Sequence, residues 1–127
     1  MSIQLSPIGT LITPFQHLSD CPNNIDINGP KSAIQLFPQF VSGLKGLMAG
    51  QKVLLLYWFE QSDRTQLLQR SRSSGVPIGC FALRSPHRPN PIAAATVTID
   101  SICENELTVH GLDCLTGTYL LDIKPAI

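Results

Sequence analysis

Hydrophobic residues in this chain fall in short alternating or continuous runs separated by Pro, Gly and Asn, a spacing that predicts strands rather than long helices. Ile3 to Thr13 is rich in β-branched residues, carries Pro7 and Gly9 early and meets Pro14, which predicts an edge or first strand ending at Thr13. Gln16 to Ser32 has no periodicity and holds turn signals at Cys21-Pro22-Asn23-Asn24 and Asn28-Gly29-Pro30, so it reads as a long polar loop. Loops of this length are usually functional or mobile. Ala33 to Phe37 predicts a short strand stopped by Pro38. Phe40, Val41, Leu44, Leu47 and Met48 follow at helical spacing, but Gly43, Gly46 and Gly50 reduce the expectation to one or two turns.

Val53 to Phe59 is a continuous apolar run bounded by polar residues and predicts a central buried strand, with Tyr57 and Trp58 in the core. Arg64 to Arg72 reads as a short helix or a loop with Leu67 and Leu68 turned inward, and Ser71 to Gly75 is flexible by composition. A strand from Val76 or Ile78 to Leu83 would then deliver Arg84 at a strand end, where side chains are well held. Ile92 to Ile102 and Leu107 to His110 predict a hairpin around Glu104-Asn105. Asp113 to Thr118 predicts a loop, and Tyr119 to Ile123 a last strand ending at Pro125.

Composition bounds this picture. A chain of 127 residues with 43% hydrophobic and 14% charged residues fits one globular domain, 1–127, and ten prolines with nine glycines favour β structure over a helical bundle. Net charge is zero, so the whole molecule has no strong bias toward nucleic acid. The distribution is uneven: Arg64, Arg70, Arg72, Arg84 and Arg88 lie in a stretch without Asp or Glu from Arg64 to Ile99, and this stretch suits an anionic ligand. Cys21, Cys80, Cys103 and Cys114 form no C-x-x-C pair and have no His at zinc spacing, so no metal site is expected. No basic and apolar leader follows Met1 and no apolar run is long enough to span a membrane, which points to a cytoplasmic protein with reduced thiols.

The densest chemistry is in Arg84-Ser85-Pro86-His87-Arg88-Pro89-Asn90-Pro91. Three prolines hold this backbone extended around two guanidinium groups, an imidazole, a hydroxyl and an amide. A stiff segment of this kind loses little entropy on binding and can aim planar Arg forks at a ligand. The plain alternative is a Pro-rich surface loop whose Arg residues pair with carboxylates. No G-x-G-x-x-G opens a helix and no Gly-rich loop ends in Gly-Lys-Ser/Thr, which argues against a doubly wound methyltransferase or an ATPase.

Gly79 to Ile92, which includes Arg84-Ser85-Pro86-His87-Arg88-Pro89-Asn90-Pro91, resembles the central motif of the TsaA-like (YaeB, TrmO) family. Gly111-Leu112-Asp113 with Leu121-Asp122-Ile123-Lys124-Pro125 resembles its C-terminal signature. Pro7-Ile8-Gly9 with Thr13-Pro14-Phe15, and Leu36-Phe37-Pro38, match its N-terminal half in order. The resemblance implies a mainly β, small single-domain β-barrel with one or two short helices, homodimeric, that binds S-adenosylmethionine. Its best-known members methylate N6 of threonylcarbamoyladenosine in tRNA.

The resemblance also implies a cofactor site. The family's Pro-Arg-Gln falls by position on Pro22, Asn23 and Asn24, and its usual His on Glu60, beside Gln61. Arg84 matches the family's cofactor-site arginine, and on its own chemistry it is the best cation here for the methionine carboxylate. Ala94 and the loop Thr116-Gly117-Thr118-Tyr119 fall on further cofactor positions, and the loop replaces the family's Asp-Gly-Thr-Pro. His87, Arg88 and Asn90 are the catalytic candidates. His87 has a reference pKa suited to a general base, or it donates hydrogen bonds to backbone or phosphate; Arg88 and Asn90 fix either the acceptor or the loop itself. Three readings follow: a tRNA methyltransferase, a methyltransferase of the same fold with a small-molecule acceptor, and a non-catalytic S-adenosylmethionine-binding protein.

Overall fold

The computed structural model describes residues 1–70 and 73–127. Ser71 and Arg72, part of the segment read as flexible by composition, lie outside the described residues. The strands are β1 (Gly9–Ile12), β2 (Lys31–Leu36), β3 (Lys52–Trp58), β4 (Leu68–Arg70), β5 (Pro77–Gly79), β6 (Ile92–Thr98), β7 (Ser101–Cys103), β8 (Glu106–His110) and β9 (Thr118–Pro125). Seven of them form one antiparallel sheet in the order β6-β3-β9-β1-β2-β8-β7, and β4 and β5 form a separate two-stranded sheet.

The sheet curls strongly. Five strand spacings separate β6 from β8, about 24 Å in a flat sheet, yet Cα atoms of these two strands come within 8 Å of each other. Ile99 and Asp100 carry the chain from one edge strand to the other. Ile99 N donates to Gln51 O at 2.9 Å on the β3 side, and Asp100 N to Thr108 O at 2.7 Å on the β8 side. Among the described residues no ladder joins the edges β6 and β7, so the mainly β expectation is met by a strongly curled sheet, in which no closed barrel is found.

The inward face collects Leu11, Ile34, Val53, Leu55, Tyr57, Ala95, Val97, Leu107, Val109 and Leu120 into one buried cluster. Val53, Leu55 and Tyr57 are buried while Leu54, Leu56 and Trp58 are half-buried, because β3 lies between β6 and β9 with one face on the core. The apolar run is thus an interior strand with a neighbour on each side, one place in from the edge β6 rather than at the middle of the sheet, and it is covered fully on one face only. A register shift between Leu56 and Tyr57 leaves Leu121 of β9 without a partner on β3, a bulge at the end of the strand that leads to the cleft described below.

Several expected elements differ. The first strand is shorter than Ile3 to Thr13, because ladder partners exist only where Gly9 meets Leu36 and Leu120. The helical elements are short 3-10 segments, Leu18–Asp20, Pro38–Leu44 and Cys80–Ala82, consistent with the glycine-limited expectation. Arg84 does not sit at a strand end: β5 stops at Gly79, and the 3-10 turn Cys80–Ala82 intervenes. Leu67 and Leu68 do not turn inward but are 58% and 67% exposed, since β4 and β5 form a two-stranded ribbon separate from the main sheet and its core. The predicted hairpin forms between β7 and β8, with Glu104 at φ 55°. That left-handed residue costs about 1 kcal/mol. The turn is also docked, because Asn105 Nδ2 donates to Leu36 O and Leu36 N donates to Asn105 O, each at 2.9 Å.

Candidate functional site

A cleft of about 930 Å³ opens where five segments meet: the loop after the Leu18–Asp20 turn, the end of β3, the end of β4 with Ser73, the proline-rich loop and the loop before β9. Each segment is placed by identifiable bonds. Residues 26–30 wrap Gly111, with Asp26 N donating to Gly111 O and Gly111 N to Pro30 O, both at 3.0 Å. This fastens the loop that brings Pro22, Asn23 and Asn24 to the cleft.

The loop before β9 is sewn to the end of β1. Thr13 Oγ1 donates to Cys114 O at 2.7 Å, Thr13 N to Thr116 Oγ1 at 3.2 Å, Thr116 N to Phe15 O and Gly117 N to Leu11 O, both at 2.8 Å. Thr118 Oγ1 closes the turn by donating to Leu115 O at 2.6 Å. Thr116 through Tyr119 therefore enter the cleft on a backbone held from two sides.

The proline-rich loop separates its polar groups by task. Arg88 Nη2 donates to the carbonyls of Cys80 and Leu83, the latter at 2.9 Å, and so clamps the turn that precedes Arg84. Asn90 accepts from Arg64 Nη2 at 3.4 Å while Arg64 Nε donates to Pro89 O at 2.7 Å, and the Arg64 guanidinium lies 5.3 Å from the Trp58 ring centre. Neither Arg88 nor Asn90 lines the cleft, so of the alternatives open for them the geometry supports fixing the loop. His87 does line it. Its Nδ1 accepts from Asp63 N at 3.0 Å, which puts the ring proton on Nε2, and its own carbonyl accepts from Gln69 Nε2 at 2.7 Å. With Nδ1 occupied, the ring offers a donor to a ligand, which favours hydrogen bonding over a general-base role.

Arg84 lines the cleft and is exposed. Its described hydrogen bond, from Nη2 to Ala94 O, is 3.5 Å long, so most of the guanidinium remains available to a ligand. Ala94 itself does not line the cleft; it contributes the carbonyl that steadies Arg84. Glu60, Gln61, Thr116, Gly117, Thr118 and Tyr119 all line it with Pro22, Asn23, Asn24 and His87. The pattern reading of Trp58 as core is corrected: its half-buried ring forms part of the cleft wall. The strand end carries it there, one position beyond the inward-facing Tyr57.

Sequence reasoning assigned no role to Asp113 and left Tyr57 in the core. Tyr57 is indeed buried, and its hydroxyl donates to Asp113 Oδ1 at 2.7 Å across 56 residues of sequence. Burial, and then the Asp113 carboxylate, hold this phenol protonated far above its ordinary range. Burial likewise pushes the Cys114 thiol up to about 12, and burial followed by Asp113 raises that of Cys21. Both thiols therefore stay neutral at physiological pH and offer poor nucleophiles. No cluster of metal-ligating side chains occurs among the described residues, and no helix there is long and apolar enough to cross a membrane. The observed arrangement is a cleft of mixed polar and apolar lining, with the Arg84 guanidinium largely available and a constrained loop backbone, and it is suited to holding a polar organic ligand rather than to attacking one.

Known proteins resemble this chain in sequence and in fold. The family model of the tRNA-methyltransferase O N-terminal domain, TrmO_N, matches residues 10–127. The chain is 38% identical over 118 residues to the "Probable S-adenosyl-L-methionine-binding protein VirR" of Rhizobium radiobacter, covering 93% of this chain and 67% of that protein. It is 33% identical over 120 residues to an "S-adenosyl-L-methionine-binding protein" of Archaeoglobus fulgidus, covering 94% and 86%. The crystal structure of TrmO from Pseudomonas aeruginosa superposes with a TM-score of 0.82 at 32% identity over 100% of this chain. This chain spans 56% of that solved protein. By sequence across nearly its whole length, and by fold, the chain belongs to the tRNA-methyltransferase O N-terminal domain family.

Proposed function

We propose that residues 1–127 act as one S-adenosylmethionine-binding unit and catalyse methyl transfer, with N6 of threonylcarbamoyladenosine in tRNA as the acceptor. The observation that carries this reading is the cleft itself, which gathers Arg84, the Pro22–Asn24 loop and the Thr116–Tyr119 loop from distant parts of the chain. Its volume of about 930 Å³ lies at the upper end of small-molecule sites and leaves room for part of an acceptor beside a cofactor. The residues fit that cofactor: Leu18, Trp58 and Leu115 supply apolar surface for a purine, the 116–119 backbone supplies polar groups, and Arg84 supplies the cation for a carboxylate.

Bound there, S-adenosylmethionine supplies an electrophilic methyl group for in-line displacement, a reaction that depends chiefly on positioning. In this reading the Nε2–H of His87 donates to the acceptor, whose N6 proton passes to solvent water on methylation, and Arg88 and Asn90 keep the loop in place through Cys80, Leu83 and Arg64. Arg70 and Arg84 border the cleft while the chain as a whole is neutral, so RNA would meet few cations per subunit. Counterion release scales with the number of phosphates neutralised, and binding is expected to be weak and only moderately dependent on salt.

The test is transfer of a radiolabelled methyl group to total tRNA containing threonylcarbamoyladenosine, with tRNA lacking that modification as control. Label confined to the modified tRNA is the expected result. Label in neither RNA, with cofactor binding intact, moves the reading to a small-molecule acceptor or to a non-catalytic binding protein.

A homodimer belongs to the same proposal. Leu67, Leu68, Val76 and Phe81 expose a large apolar surface on and beside the β4–β5 ribbon, next to the cleft. We read it as the face that meets a second copy. Sedimentation should show wild type as a dimer and Phe81→Glu as a folded monomer; an unchanged dimer in that variant places the contact elsewhere.

A further inference from the structure

The cleft contains an acid and a base that are held near one buried tyrosine but not paired with each other. Asp113 is tied to the Tyr57 hydroxyl through Oδ1 at 2.7 Å. Arg84 reaches the carbonyl of Ala94, whose ladder partner is Leu56, the residue before Tyr57. The two side chains therefore approach the same end of β3, one from the loop before β9 and one from the proline-rich loop. Their fields act on the Tyr57 hydroxyl in opposite directions, Asp113 raising its pKa and Arg84 lowering it. Among the described residues Asp113 forms no ion pair with Arg84 or with any other cation. Both line the cleft.

We infer that Asp113 and Arg84 together form a zwitterion-recognition pair, with the Asp113 carboxylate taking the α-ammonium of an α-amino acid group and the Arg84 guanidinium taking its carboxylate. The assignment rests on the proposal that S-adenosylmethionine occupies the cleft, and it adds which residue reads the amino group. Opposite charges that face one cavity without neutralising each other match a ligand that carries both charges on groups of one carbon. Tyr57 is the positioning residue. Its hydroxyl occupies Oδ1 and fixes the rotation of the carboxylate, leaving Oδ2 for the ligand. Buried at 1% exposure on β3, between β6 and β9, Tyr57 gives the carboxylate a rigid support that a loop residue would otherwise lack.

The experiment compares S-adenosylhomocysteine with its analogue lacking the α-amino group, by calorimetry on wild type and on Asp113→Asn. The asparagine oxygen still accepts from Tyr57, so the variant retains the internal bond while losing the charge. Wild type should bind the amino-bearing ligand at least tenfold more tightly, and Asp113→Asn should bind the two equally. Equal affinities in wild type overturn the inference whether or not the variant folds. A variant that still discriminates tenfold overturns it as well, as does one that loses affinity for both ligands by the same factor, which would indicate a ribose contact or a collapsed cleft. If wild type binds neither these ligands nor S-adenosylmethionine, the proposed function itself fails and this assignment with it. Normal binding of S-adenosylmethionine without amino-group discrimination removes the Asp113 assignment alone.

Discussion

Gly111→Ala should lower the thermal midpoint by about 12 to 20 °C, taking about 4 °C per kcal/mol and a loss of about 3 to 5 kcal/mol. Gly111 has φ 83°, and a Cβ there would overlap the backbone of Asp26. The conformational penalty for a side chain in the left-handed region is about 1 kcal/mol. The overlap costs more than this, because it is with main-chain atoms that no rotamer change can move. Relief requires lifting residues 26–30, which breaks the bonds from Asp26 N to Gly111 O and from Gly111 N to Pro30 O, each worth about 1 kcal/mol. Gly43→Ala is the control, since a Cβ there meets nothing within 4 Å, and its midpoint should stay near wild type. Hydrogen exchange should show residues 22–30 opening first in Gly111→Ala. A midpoint within about 2 °C of wild type would show that this loop contributes little to the fold.

Arg84→Ala and Arg88→Ala should fail in different ways although the two arginines are four residues apart. Arg84 is exposed and makes one long hydrogen bond, so its loss should change stability by no more than about 0.5 kcal/mol. As the cation for the ligand carboxylate, it should account for about 1.5 to 3 kcal/mol of binding, or roughly ten- to a hundredfold in S-adenosylmethionine affinity. Arg88 instead satisfies the carbonyls of Cys80 and Leu83. Its loss should cost about 1.5 to 3 kcal/mol of stability and reach the ligand only through the displaced loop. Calorimetry and thermal melts on both variants separate the roles. Equal affinity losses with equal midpoints would show that the assignment of binding to Arg84 and support to Arg88 is wrong.

Much of the site was legible in the chain because motif residues are local. Arg84 and His87 sit three residues apart, and Thr116 to Tyr119 are consecutive, so the backbone alone keeps each set together. What could not be read was which donors remain for a ligand. Arg88 and Arg84 are chemically identical in sequence, and only the turn at Cys80–Ala82, which brings two carbonyls under Arg88, makes one structural and leaves the other at the cleft. Likewise nothing in the local sequence says that the backbone N–H of Asp63 occupies Nδ1 of His87 and leaves Nε2 toward the cleft.

The sequence by itself determined the mainly β character, the approximate places of the strands expected at Ala33 to Phe37, Val53 to Phe59, Ile92 to Ile102, Leu107 to His110 and Tyr119 to Ile123, and the glycine-limited turns between Phe40 and Gly50. These follow from side-chain alternation, β-branching and φ preference, all of which act within a few residues. Only the tertiary structure decided the curl of the sheet, the exposure of Leu67 and Leu68, and the Tyr57–Asp113 bond beside Arg84. Each depends on which strands become neighbours, and that is set by burying one shared apolar face drawn from the whole length of the chain. A contact across 56 residues leaves no periodic trace in either partner's local sequence, so the acid and its tyrosine become visible as a pair only once β3 and the loop before β9 are folded together.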